Sequence, residues 1–107
     1  MDRATELRSL SLEVQRTAQV NQNGEVEWPL RDARAAIDAL AATGHLVLGL
    51  DLREYDDDGR FVELPWCVTT VDSVVGARDE ARAALDRFDR DSLGLDPVRV
   101  SVLVTWR

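Results

Sequence analysis

The chain has 107 residues, of which 45% are hydrophobic, and its 20 acidic and 13 basic residues give a formal net charge of −7. This length suits a single domain with its own core, which we predict to span residues 1–107. The negative charge argues against nucleic acid as a direct partner, because binding nucleic acid requires a basic surface. It favours either a protein partner with a basic surface or simple solubility.

Three features of the sequence predict a cytoplasmic protein with no membrane partner. The longest apolar run, residues 46–50, is far shorter than the ~20 residues that cross a bilayer. The N-terminal residues lack the apolar stretch of a secretory signal. Cys67 is the single cysteine, so an intramolecular disulfide is impossible.

The first quarter of the chain fits two structures. Leucines and a valine between residues 7 and 14 match one helical face and also match strand alternation. Asn23-Gly24 is a strong hairpin turn signal, and it favours the strand. We therefore predict a strand near residues 9–20 and an extended segment over residues 25–28.

Two helices are predicted with more definite limits. Pro29 suits the first turn of a helix, an apolar stripe runs from Ala33 to Ala41, and Gly44 ends it. The second helix covers about residues 73–91, with small apolar residues on one face.

Strands complete the pattern over residues 46–52, 61–71 and 98–106, with a turn at residues 56–59. The order β-α-β-β-α-β predicts an α+β fold, a two-layer sandwich with two helices on one face of a mostly antiparallel sheet. A ferredoxin-like arrangement shares this order but places the third strand centrally, where Pro65 would require a bulge or an edge position. The predicted core residues are Leu40, Leu48, Leu85, Phe88, Val100 and Val102.

No combination of residues indicates catalysis or metal binding. One histidine, His45, and one cysteine, Cys67, cannot close a zinc site, and nothing positions them as a catalytic pair. His45 follows a helix-ending glycine, which favours a capping or surface role. An EF-hand aligned on Gly59 would place Pro65 where the bidentate glutamate must be. We therefore predict no enzyme activity, no cofactor and no metal.

The turn at residues 56–59 lies in an unusually acidic segment. One Asp and one Gly suffice for a turn, so the additional carboxylates suggest a surface that faces a basic partner. Trp66 fits either the core or an interface. The predicted partner-binding residues are Asp51, Glu54, Tyr55, Asp56, Asp57, Asp58 and Trp66.

One segment resembles a known family. The run Glu27-Trp28-Pro29-Leu30-Arg31-Asp32-Ala33, the helix after it, and Gly44-His45-Leu46-Val47-Leu48-Gly49-Leu50-Asp51-Leu52 resemble the immunity proteins of bacterial polymorphic toxin systems, in particular the family numbered forty. Gly49, Asp51 and Trp66 match the family pattern, whereas Leu50 replaces a glycine and Pro65 an asparagine. The resemblance covers roughly residues 25–90.

The resemblance implies a non-enzymatic protein that binds and blocks a toxin effector domain, with a basic surface on the toxin. An alternative from another class is a small cytosolic enzyme or ligand-binding regulator that uses the acidic residues 51–58. A third is a structural subunit whose edge strands pair between chains.

Overall fold

The computed structural model describes residues 6–64, 67–91 and 97–107. Its helices are α1 (Leu12–Thr17), α2 (Leu30–Ala42) and α3 (Val74–Asp91), with a 3₁₀ turn at Pro97–Arg99. Its strands are β1 (Gln19–Val20), β2 (Val26–Pro29), β3 (Val47–Tyr55), β4 (Phe61–Glu63), β5 (Cys67–Val68) and β6 (Val100–Trp106).

The strands form one antiparallel sheet in the order β1-β2-β6-β3-β4, and β5 also pairs with β3. The predicted α+β class is therefore confirmed. The strand order differs from the ferredoxin-like one, because β6 and β3 are central and the segment containing β4 and β5 lies at an edge. Pro65, for which a bulge or an edge position is expected, lies outside the described residues.

The helices cover one face of the sheet. Alternate residues of β6, namely Val100, Val102, Val104 and Trp106, point into the core, where they meet the buried stripe of α2 and the small residues of α3. Trp28 and Trp106 lie side by side in this core, with ring centroids 6.1 Å apart. Of the predicted core residues, Leu40, Leu85, Val100 and Val102 are buried, and Phe88 packs partly buried against them.

The predicted strand near residues 9–20 was wrong except at its end. A short helix occupies the middle of that segment, with Ser11 as its N-cap, and only Gln19–Val20 forms a strand. The helix buries Val14, and Leu10, which precedes its N-cap, is also buried. The indole N–H of Trp28 also donates to the carbonyl of Val14 at 3.0 Å, so tertiary contacts decide between two local patterns that the sequence fits equally.

Two smaller predictions also fail for identifiable reasons. The register of β3 against β6 shifts between Val47 and Gly49, so Val47 takes the core position expected for Leu48. At such an irregularity, the alternation between side chains on the two faces of the sheet shifts by one residue. Val98 belongs to the 3₁₀ turn rather than the last strand, and it is 85% exposed.

The turn predictions hold. Gly24, Gly44 and Gly59 all have positive φ, which glycine adopts without strain. Within the described residues, no helix is both long enough and apolar enough to cross a membrane.

Candidate functional site

The face of the sheet that the helices leave open carries a group of charged side chains. Glu27, Leu103 and Asp51 are register neighbours across β2, β6 and β3, and Arg53 is paired with Glu63 of β4. Glu25 lies close enough to Asp51 to affect its ionisation. We call this group of four carboxylates and one guanidinium (Glu25, Glu27, Asp51, Arg53 and Glu63) the open-face cluster.

Glu27 lies at the centre of this cluster and is only 5% exposed. The hydroxyl of Tyr55 donates to its Oε1 at 2.8 Å. Its Oε2 lies 3.6 Å from Nη1 of Arg53 and accepts from Nδ2 of Asn21 at 3.5 Å. A buried carboxyl group needs partners of this kind, so these contacts explain how Glu27 is accommodated in a strand between Val26 and Trp28.

Arg53 joins the two edges of the cluster. Its Nη2 lies 3.7 Å from Glu63, and its guanidinium carbon lies 4.4 Å from the ring centroid of Phe61, a cation–π distance. The Tyr55 and Phe61 rings are 5.4 Å apart. The Nε of Arg53 is buried and, within the described residues, has no hydrogen-bond partner. A buried donor without an acceptor costs free energy, so an acceptor brought to the Nε of Arg53 would be favourable.

The surroundings of Asp51 raise the pKa of its carboxyl group. Burial, followed by the charges of Glu63 and Glu25, raises its pKa above the ordinary value, and Arg53 only partly opposes them. Within the described residues, the carboxylate of Asp51 forms no hydrogen bond and no ion pair. A cation brought by another molecule would therefore stabilise the ionised form of Asp51.

Tyr55 is fixed as a donor to this cluster. Burial, followed by the hydrogen bond to Glu27, raises its pKa, so the phenol stays protonated at neutral pH. The side chain predicted to contact a partner is therefore also part of the protein's own network.

The hairpin after β3 uses its aspartates in different ways. Oδ1 of Asp56 accepts the backbone N–H groups of Asp58 and Arg60, both at 2.9 Å, which closes the turn. Asp57 pairs with Arg99 at 2.8 Å, and Asp58 is exposed.

The other predicted site residues lie elsewhere. Asp51 is five residues before Asp56 along β3, roughly 16 Å for an extended chain, so it does not belong to the hairpin tip as expected. Glu54 pairs in register with Val100, whose side chain is in the core, so it lies on the other face from the cluster. The prediction for Trp66 lies outside the described residues.

A pocket opens where the open-face cluster meets the hairpin. Its volume is about 490 Å³, and it forms above Ser101, whose small side chain separates the longer ones of β2 and β3. Its lining consists of Gln19, Glu27, Pro29, Tyr55, Asp56, Asp57, Val98, Arg99, Val100 and Ser101.

The two residues weighed for catalysis occupy structural positions. Cys67 is half-buried on β5, and burial, followed by the charge of Glu80, raises the pKa of its thiol. A protonated thiol is a poor nucleophile. The backbone N–H of His45 donates to the carbonyl of Leu40 at 2.9 Å, which closes the end of α2. Within the described ranges, no three His, Cys, Asp or Glu side chains are grouped so that they could hold a metal ion.

The chain matches no family model, no curated protein and no solved structure. Of the residues that carry the family resemblance, Gly49 has a structural explanation. A Cβ there would lie 2.9 Å from the backbone oxygen of Cys67, so a glycine lets β5 approach β3.

Sequence reasoning missed Glu27 and Arg53 as site residues. A signal for both is present in hindsight. Glu27 interrupts an apolar strand, and Asp51 and Arg53 alternate with leucines, which marks a polar face on a strand whose other face is buried.

Proposed function

We propose that this chain is an immunity protein, which binds and blocks a bacterial toxin effector domain through the open face of its sheet. The observation that carries the proposal is the open-face cluster. Four carboxylates surround one guanidinium on a face that no described helix covers, and the charge of Arg53 offsets the pKa shift of one of them, Asp51, only in part.

Charge complementarity supports a basic partner. An effector domain that acts on nucleic acid has a basic cleft, and an acidic surface would steer the two proteins together. The family resemblance in residues 25–90 agrees with this function. The hairpin aspartates Asp57 and Asp58 extend the same negative surface beyond β3.

A growth experiment tests the proposal. A candidate toxin domain is expressed in bacteria with and without this chain, and we expect cells that make the toxin to grow only when this chain is also present. Failure of the intact chain to restore growth, or to bind the purified domain, would contradict the proposal.

Two variants with the same substitution locate the surface. Glu63→Arg reverses one charge of the open-face cluster, and Glu13→Arg reverses one exposed charge on α1. We expect Glu63→Arg to reduce protection and Glu13→Arg to leave it unchanged. Equal protection by both would place the interface elsewhere.

The hairpin contribution needs substitutions that preserve the turn. Asn keeps the Oδ1 acceptor that Asp56 offers to two backbone N–H groups, so changing Asp56, Asp57 and Asp58 together to Asn removes charge without opening the turn. We expect slower association with the toxin domain and a weaker dependence on salt. An unchanged association rate at low salt would mean that the hairpin is only a solvated turn.

A further inference from the structure

We infer that the pocket between the open-face cluster and the hairpin receives one arginine side chain of the protein partner. The inference rests on the proposed function for the existence of that partner, and it adds the chemical group that the pocket recognises. Three carboxylates, those of Glu27, Asp56 and Asp57, line the pocket against the single guanidinium of Arg99.

Both hydroxyl protons of the pocket are used within the protein. Tyr55 uses its proton to bond Glu27 at 2.8 Å, and Ser101 uses its proton to bond the carbonyl of Trp28 at 3.4 Å. The oxygen of Ser101 therefore keeps its lone pairs for an incoming donor, whereas the oxygen of Tyr55 already interacts with Arg53. Arg99, the charged donor in the lining, is held by Asp57 at 2.8 Å.

A lining rich in acceptors and negative charge selects a cation with several N–H groups. Guanidinium offers five N–H donors in one plane, whereas a lysine ammonium offers three around one point. Its flat face can also stack on an aromatic ring, and Tyr55 supplies one in the lining.

The remaining walls suit the rest of an arginine side chain. Pro29 and Val98 give the pocket an apolar side, against which the methylene stem of an arginine can pack. Glu27 has acceptor capacity left, because a carboxylate accepts about four hydrogen bonds and its contacts here are Tyr55, Arg53 and Asn21.

Titration with three small probes tests the inference by NMR on the ¹⁵N-labelled protein. The probes are the N-acetyl amides of arginine, citrulline and lysine, which share a backbone and differ in the side-chain head group. We expect saturable shifts of the Tyr55, Asp57 and Ser101 amides with the arginine probe, with affinity in the millimolar range for so small a ligand. We expect no saturation with uncharged citrulline and weaker binding of lysine.

Two adjacent aspartates provide a matched control. Asp57→Asn removes a charge from the pocket lining, and Asp58→Asn removes the same charge one residue away, outside the lining. Asp57→Asn should weaken the arginine probe by about two-fold, because the Asp57 side chain is 87% exposed and already pairs with Arg99, and an exposed ion pair contributes roughly 0.5 kcal/mol. Asp58→Asn should leave it nearly unchanged, because Asp58 does not line the pocket.

Several results would overturn the inference. Equal binding of arginine and citrulline would show that charge is irrelevant, and equal binding of arginine and lysine would show that guanidinium geometry is irrelevant. Equal effects of the two Asn variants would place the probe outside the pocket. The probes require no toxin, so their failure leaves the growth experiment unaffected, and a failed growth experiment leaves the probe result standing.

Discussion

Removing the Tyr55 hydroxyl should destabilise the protein measurably. Tyr55→Phe keeps the ring and its contact with Phe61 but deletes the 2.8 Å hydrogen bond to a carboxylate that is 5% exposed. Hydrogen bonds to charged groups contribute roughly 1.5–3 kcal/mol. Since Tyr55 is itself only half-buried, water can replace part of the bond, and we expect the lower end, about 1.5 kcal/mol. For a domain of this size that corresponds to a Tm lower by roughly 6 °C.

Urea unfolding of Tyr55→Phe, Glu27→Gln and the double variant would measure this coupling. The double-mutant cycle should give an interaction energy of about 1 kcal/mol, because the two side chains are direct partners. A loss below about 0.3 kcal/mol in Tyr55→Phe, which is within the usual error of additivity, would refute the view that Tyr55 stabilises the buried carboxylate. Unchanged circular dichroism would confirm that the variants share the parent fold.

Three further substitutions test separate parts of the structure. Asp51 has a raised pKa in the folded state, so the folded protein holds that proton more tightly than the unfolded chain does, and stability falls as pH rises through the folded pKa. Asp51→Asn should therefore be more stable than the parent at pH 7, with no gain below pH ~3.5, and a variant less stable at pH 7 would contradict this. Asp56→Ala removes the acceptor of two turn N–H groups and should cost about 1 kcal/mol in urea unfolding. Asp58→Ala, its control, should cost less than about 0.5 kcal/mol, and equal costs would refute the turn assignment. Gly49→Ala places a methyl group against a backbone oxygen and should cost about 1–3 kcal/mol, so a neutral result would mean that β5 moves freely.

Elements with one dominant local signal were predictable from the sequence. The stripe of α2, the alternate valines of β6 and the glycines that end α2 and the hairpins each follow from a single periodicity or a positive φ. Because these signals depend only on residues close in sequence, contacts between distant residues do not change the elements that they predict.

The errors arose where contacts distant in sequence decide the outcome. The segment before β1 becomes helical because Val14 meets the core and Trp28, which residues 9–20 alone do not reveal. The shift at Gly49 depends on how β3 pairs with β6.

One part of the candidate site was predictable from the sequence, and another part depends on contacts between distant residues. The acidic segment around Asp56 was visible in the sequence. The network of Glu27, Arg53 and Tyr55 joins two strands separated by β6, and its members are up to 28 residues apart. No sequence window contains that arrangement, although the polar alternation along β3 indicates its face.

We propose that the open face of the sheet meets a basic partner, and association kinetics can test this. Binding of the toxin domain to the parent, Glu63→Gln and Glu13→Gln would be measured at several salt concentrations. The two variants lose the same charge, one on the open-face cluster and one on α1. We predict slower, less salt-dependent association for Glu63→Gln alone, because charges at an interface mainly set the association rate. Identical association rates and salt dependence for the two variants would contradict the claim.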